Sequence, residues 1–210
     1  AVVRPDQRWD NVAVQIRTTP AWDPESRRFH MIYLAAAEAA DFESMHIRHG
    51  WAPEGGDSFT CYTVSEDGVN WEKPSLGLHD YEGLTWRGEP VGAANNIVPS
   101  AKGMLQGPIY DATDPDSSRR FKGMRNLAGK LQATVSEDCV NWHELEGAEV
   151  PSSDEANLTH DVDHGRFIAT PKQGGPYGRS FYLSTSEDFH TWSELELIFH
   201  ADQQDQENGF

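Results

Sequence analysis

"SEDGVNW", residues 65–71, returns as "SEDCVNW" at 136–142 and as "SEDFHTW" at 186–192. Each copy follows a run that alternates apolar and polar residues, "SFTCYTV", "KLQATV" and "SFYLST". Alternation at a period of two is the pattern of a half-buried strand. Each tryptophan then opens a second short run, "WEKP", "WHEL" or "WSELELIF". Strand, acidic turn and strand make a hairpin, in which Ser and Asp oxygens accept bonds from turn amides while the indole packs on a neighbouring layer. The repeated motif therefore reads as structure, not as a ligand contact.

A second element precedes each copy: "DPESRRFHMIY" at 23–33, "DPDSSRRFKGM" at 114–124 and "DVDHGRFIAT" at 161–170. Each is an acidic turn, then Arg-Phe, then an apolar strand, and a further strand candidate lies before it ("NVAVQIRT", "GMLQGPIY", "ANLTH"). Aligned this way, Asp23 matches Asp114 and Asp163 as a turn residue. Four antiparallel strands per unit are the plan of a β-propeller blade. The chain reads as an all-β, partial five-bladed propeller domain over 1–210, with blades near 10–75, 95–146 and 154–200. Two long connectors, 35–57 and 76–103, interrupt the pattern, and the first is alanine-rich enough for a short helix. A propeller ring needs at least four blades. The missing blades are expected from the rest of a longer chain or from another chain.

Composition narrows the function. Of 210 residues, 37% are hydrophobic and 10% aromatic, enough for a sizeable core. The 34 acids against 17 bases give a net charge of −17, a field that repels phosphate backbones, so no nucleic-acid partner is expected. No run approaches the ~20 apolar residues of a membrane helix, so no membrane partner is expected either. The start, "AVVRPDQRWDN", lacks a signal pattern, and any leader is expected to be absent or removed. Cys61 and Cys139 match no zinc spacing and read as buried thiols, with a bridge between them as the alternative. Phosphate-binding glycine loops, a GxSxG elbow and an HExxH pair are absent, so neither a cofactor nor a metal is implied.

The DP-type turn, the RRF strand and the SED turn with its Trp, repeated at blade spacing, resemble the five-bladed propeller glycoside hydrolases. These include family 43 (arabinanases and xylosidases) and family 32 (invertases and fructanases). The matching stretches are "NNIV" at 95–98, "YDATDPDSSRRFKGM" at 110–124 and "GRSFYLSTSEDFHTWSELELIFHAD" at 178–202. The likeness spans most of the chain, as about three of five blades. The family 32 pattern Trp-x-Asn-Asp-Pro-Asn is missing, with "WDN" at 9–11 a faint echo. The turn is also similar to the Asp box of sialidases, with one residue fewer between Asp and Trp.

The resemblance implies hydrolysis of a glycosidic bond by paired carboxyl groups. It points to Asp10 as base or nucleophile, Asp154 or Glu155 as general acid, and Asp111 as the group that holds the acid's proton or steadies positive charge. Trp9 and Trp22 are implied sugar platforms, as are Trp51 and Trp86. Asn96 is a candidate substrate contact, and Arg179 a residue that orients a carboxylate. A carbohydrate partner follows, most simply a fructoside or arabinoside. A secreted or periplasmic location is expected, with the cytoplasm as the alternative. The competing reading is a non-catalytic propeller that binds carbohydrate or protein.

Overall fold

The structure is a computed structural model that describes residues 3–17, 19–37, 57–78, 85–86, 89–90, 92–98, 104–176 and 178–208. The first blade holds β1 (Ala13–Gln15), β2 (Ala21–Asp23), β3 (Arg28–Ala37) and β4 (Asp57–Ser65). β1 and β2 are two halves of one innermost strand, both antiparallel to β3, and β4 pairs along the other edge of β3. The outer edge is made of two isolated bridges, Glu72 to Val64 and Ile97 to Cys61. Between them lies an insertion that carries the short ladder of β5 (Thr85–Trp86) and β6 (Glu89–Pro90). "NNIV" therefore closes the first blade, whereas the sequence suggested that it opens the second.

The second blade is a plain meander of β7 (Met104–Tyr110), β8 (Phe121–Leu127), β9 (Lys130–Ser136) and β10 (His143–Pro151). The third holds β11 (Asn157–Asp161), β12 (Arg166–Thr170), β13 (Lys172–Gly175), β14 (Gly178–Ser186) and β15 (Glu196–His200). There β12 and β13 continue one another along the same edge of β14, interrupted at Pro171. A short helix, α1 (Gln203–Glu207), follows. Three four-stranded antiparallel blades make a partial β-propeller, as the repeats predict. Of the connector expected to be helical, 35–37 belong to β3 and 38–56 lie outside the described residues. No helix among the described residues is long and apolar enough to cross a membrane.

The SED turns fold alike. Asp67, Asp138 and Asp188 each accept bonds at 2.7–2.9 Å from the amides two and three residues on. Burial opposes the charge on Asp188, but these amide bonds pull its pKa down to about 2. The residue after each Asp is left-handed: Gly68 at φ 73°, Cys139 at 64° and Phe189 at 59°. Glycine adopts this region freely, while other residues lose ~1–2 kcal/mol there. Cys139 and Phe189 are fully buried between blades, and that burial offsets the strain. Both cysteines are buried free thiols, and burial pushes their pKa values up.

The core lies between blades. Ile32, Tyr62, Val64 and Val98 of the first blade pack on Leu105, Phe121 and Cys139 of the second. Met124, Leu131, Val135 and Val150 of the second pack on Leu158, Phe167, Ala169 and Phe189 of the third. One position repeats as a lock. The residue after the RF phenylalanine reaches the phenylalanine of the next blade: the His30 ring lies 4.9 Å from Phe121, and Lys122 Nζ lies 5.6 Å from the Phe167 ring.

His30 yields a pH prediction. Burial lowers its pKa, with the Asp23 charge opposing, while its Nδ1 sits 2.7 Å from the Tyr62 hydroxyl. An unfolded histidine titrates near ~6.5, so below that pH the unfolded chain binds more protons than the folded one. Stability due to His30 is complete above pH ~6.5 and declines as pH falls toward its lower folded value. Thermal melts from pH 8 to 5 should show this decline, and His30→Leu should flatten it. An unchanged slope in the variant would remove His30 as its source.

Candidate active site at the blade entrances

Each innermost strand runs from an entrance half, made of β1 with Arg17, the start of β7 or the start of β11, to a turn end at Asp23, Asp111 or Asp161. Register identifies the equivalent residues. Trp22 pairs with Phe29, Tyr110 with Phe121 and His160 with Phe167, and in each pair the rings lie 4.4–5.0 Å apart. Trp22 thus fills the position against the RF phenylalanine that Tyr110 and His160 fill in the other blades, although it remains exposed.

The next residues are Asp23, Asp111 and Asp161, and all three cap the turn. Asp23 accepts from the amides of Glu25 and Ser26, Asp111 from the amide and hydroxyl of Thr113, and Asp161 from the amide of His164. This corrects the sequence alignment, which matched Asp23 to Asp114 and Asp163 and set Asp111 apart as a catalytic candidate. Asp111 also lies 3.3 Å from the Lys122 ammonium. Burial raises its pKa, but the Thr113 bonds and Lys122 outweigh this and hold it low. Seven residues of β7 at ~3.3 Å each put Asp111 ~20 Å from the entrance end. It does not meet Glu155.

Asp10, Trp9 and Asn96 do come together, buried within the first blade. The Asp10 carboxylate is fully buried and accepts from the Gln7 amide at 2.7 Å, the Tyr33 hydroxyl at 3.0 Å and Lys73 Nζ at 2.5 Å. The Trp9 indole N–H donates to Asn96 Oδ1 at 2.6 Å, and Asn96 Nδ2 donates to the Tyr33 hydroxyl and to the Tyr62 carbonyl. Lys73 follows the Glu72 bridge and Asn96 stands on the outer edge. The network therefore turns Asp10 into the first blade, toward its outer strands. Burial, with the Asp10 charge behind it, pushes the Tyr33 hydroxyl pKa far up, so the Tyr33 proton stays in place as a donor. Trp9 and Asn96 are buried and spoken for, which leaves neither with a free face for a sugar.

The polar cluster at the entrance is built around Glu155. Arg17, just after β1, donates to Glu155 Oε1, which links the first and third blades. Lys172 Nζ of β13 stands 3.5 Å from Glu155 and 3.8 Å from Asp154, and Arg179 of β14 stands 3.3 Å from Asp154. Gln106 of β7 accepts the Ala156 N–H at 2.9 Å, which brings in the second blade. Side chains from three blades thus reach the Glu155 segment, Arg17 and Lys172 at its carboxylate and Gln106 at the next backbone N–H, and Glu155 retains 18% of its side-chain surface exposed. Such a group can give or take a proton while cations steady the charge that results. Among the described residues no set of three or more metal-ligating side chains gathers here or elsewhere.

Arg17, Lys172 and Gln106 escape a reading from the sequence. Gln106 alone leaves a signal: a glutamine amid the apolar run "GMLQGPIY". Trp51 lies outside the described residues, as does the side chain of Trp86.

Blades converging on a polar entrance define the molecule as a β-propeller, and the solved structures that share its architecture bear this out. The fructofuranosidase of Schwanniomyces occidentalis, complexed with fructosylnystose in a variant form, superposes with a TM-score of 0.56 at 10% identity. The match covers 95% of this chain and 36% of that one. The same enzyme complexed with fructosyl-erythritol gives the same values. A Bombyx mori family 32 β-fructofuranosidase matches over 90% of this chain and 36% of its own, at 14% identity and a TM-score of 0.47. The chain spans about a third of the length of these neighbours, and at 10% identity the Schwanniomyces occidentalis structures show a shared fold. No family model and no curated protein matches the sequence.

Proposed function

We propose that this chain forms part of a propeller glycoside hydrolase whose sugar site lies at the blade entrances, with Glu155 as the proton-transferring carboxyl group. The observation that carries the reading is the convergence of Arg17, Lys172 and Gln106, one from each blade, on the Glu155 segment. Glu155 protonates the leaving oxygen as the glycosidic bond breaks, Arg17 and Lys172 steady the carboxylate that results, and a water adds to the anomeric carbon and returns its proton to Glu155. Asp154, paired with Arg179, extends the polar rim toward sugar hydroxyls. A furanoside is the proposed substrate class, supported by fold neighbours that are fructofuranosidases held with fructosyl ligands. Asp10 acts on this site only as an anchor for the first blade.

The sealing of Asp10 favours a second reading, a propeller that binds glycan without cleaving it. Incubation with fructo- and arabino-oligosaccharides separates the two. Release of reducing sugar above a buffer control supports hydrolysis. Saturable binding without product supports the binding module, and neither outcome would remove sugar from the account.

A further inference from the structure

We propose that Gln106 is a positioning residue for Glu155, an inference that rests on the reading of Glu155 as the proton-transferring group. Gln106 is 1% exposed on the innermost strand of the second blade. Its Oε1 accepts the N–H of Ala156, the residue next to Glu155. A backbone N–H requires an acceptor, so this bond fixes which end of the amide is oxygen and turns Nε2 the other way. Nε2 is buried and has no partner among the described residues. An unpaired buried donor costs ~1–3 kcal/mol, a cost that a structural glutamine would avoid.

The backbone that carries Gln106 is itself clamped. A Cβ on Gly123 of β8 would lie 2.9 Å from the Gln106 carbonyl oxygen, so only glycine permits this approach. Immediately after Gln106 the pairing of β7 with β8 shifts register before resuming at Ile109. Bulges of this kind re-aim side chains and gather beside active sites. Arg17 and Lys172 hold the Glu155 carboxylate through long, flexible stems, whereas Gln106 holds its backbone through a short buried bond.

Two variants test this. Gln106→Met keeps the shape and deletes the acceptor. It should lower kcat by ~10–100-fold, the range set by small misplacements of a catalytic group, while KM changes less than ~3-fold. Gln106→Glu keeps the acceptor for Ala156 and adds a negative charge. The charged groups around Glu155 are Arg17 after β1, Lys172 on β13, Asp154 on its own segment and, through Asp154, Arg179 on β14. A new anion among them should move the carboxyl titration of Glu155, followed by 13C NMR, to higher pH than in the unaltered protein. That readout needs no turnover, so it stands even if the protein hydrolyses nothing and the hydrolase reading fails. A Gln106→Met protein that melts lower but keeps its kcat, or a Gln106→Glu protein with an unmoved Glu155 titration, would overturn the proposal.

Discussion

Lys122→Ala is expected to destabilise the protein by ~3–5 kcal/mol, the cost of breaking a buried ion pair from one side. Lys122 is 1% exposed, and its ammonium lies 2.7 Å from Asp114, 3.3 Å from Asp111 and 2.8 Å from the Arg119 carbonyl. It also stands over the rings of Phe167 and Phe189, at 5.6 and 5.7 Å, and so joins the second blade to the third. Truncation leaves two carboxylates facing each other without their cation, together with a gap at the blade interface. At ~2–4 °C per kcal/mol for a domain of this size, the melting temperature should fall by roughly 10 °C. The loss has a pH signature. Without Lys122 the Asp111 carboxyl takes up a proton more readily, so the gap from the unaltered protein should narrow below pH ~4. A loss under ~1 kcal/mol would mean that the pair behaves like a surface salt bridge.

Glu155→Gln is expected to lower kcat by ~10²–10⁴-fold, the usual contribution of a general acid or base. Glutamine matches glutamate in shape and still presents an oxygen to Arg17, but it has no proton to transfer. Folding should be preserved, because the Glu155 side chain belongs to a partly exposed rim and not to the core. KM should change little, since the sugar contacts remain. Steady-state kinetics beside a thermal melt checks both parts. Turnover within a few-fold of the unaltered protein would take Glu155 out of the mechanism. By contrast Asp10→Asn should act on stability, because Asp10 is sealed against Lys73 and Tyr33.

How much of this was legible in the sequence depends on how local each feature is. The SED turns and RF strands are short motifs whose side chains bond to their own backbone, and they announced the blades. Gly68 stands where Cys139 and Phe189 stand, and no local rule predicts the latter two, because burial between blades allows them. The alignment of the DP-type turns slipped for a related reason. Asp111 and Asp114 both bond within the same turn, and only the pairing of Tyr110 with Phe121 shows which of them matches Asp23. The insertion in the outer edge of the first blade hid the true place of Asn95–Val98, since an interrupted strand loses its alternation.

The candidate site was less legible than the fold. Glu155, Asp154 and Arg179 were visible as polar residues flanking strands. Asp10 looked equally suited, and nothing short of the packed first blade reveals that Tyr33, Lys73 and the Gln7 amide absorb its carboxylate. Arg17 and Glu155 meet across two blades, 138 positions apart in the chain. No spacing rule links them.

The most direct measurement of the central claim is a crystal structure of the Glu155→Gln protein soaked with a fructo-oligosaccharide. A sugar ring should appear at the blade entrances, within hydrogen-bond reach of Arg17 and of the substituted side chain. A sugar bound instead at the turn end, beside Asp111 and Lys122, or a blade entrance left empty at saturating ligand, would contradict it.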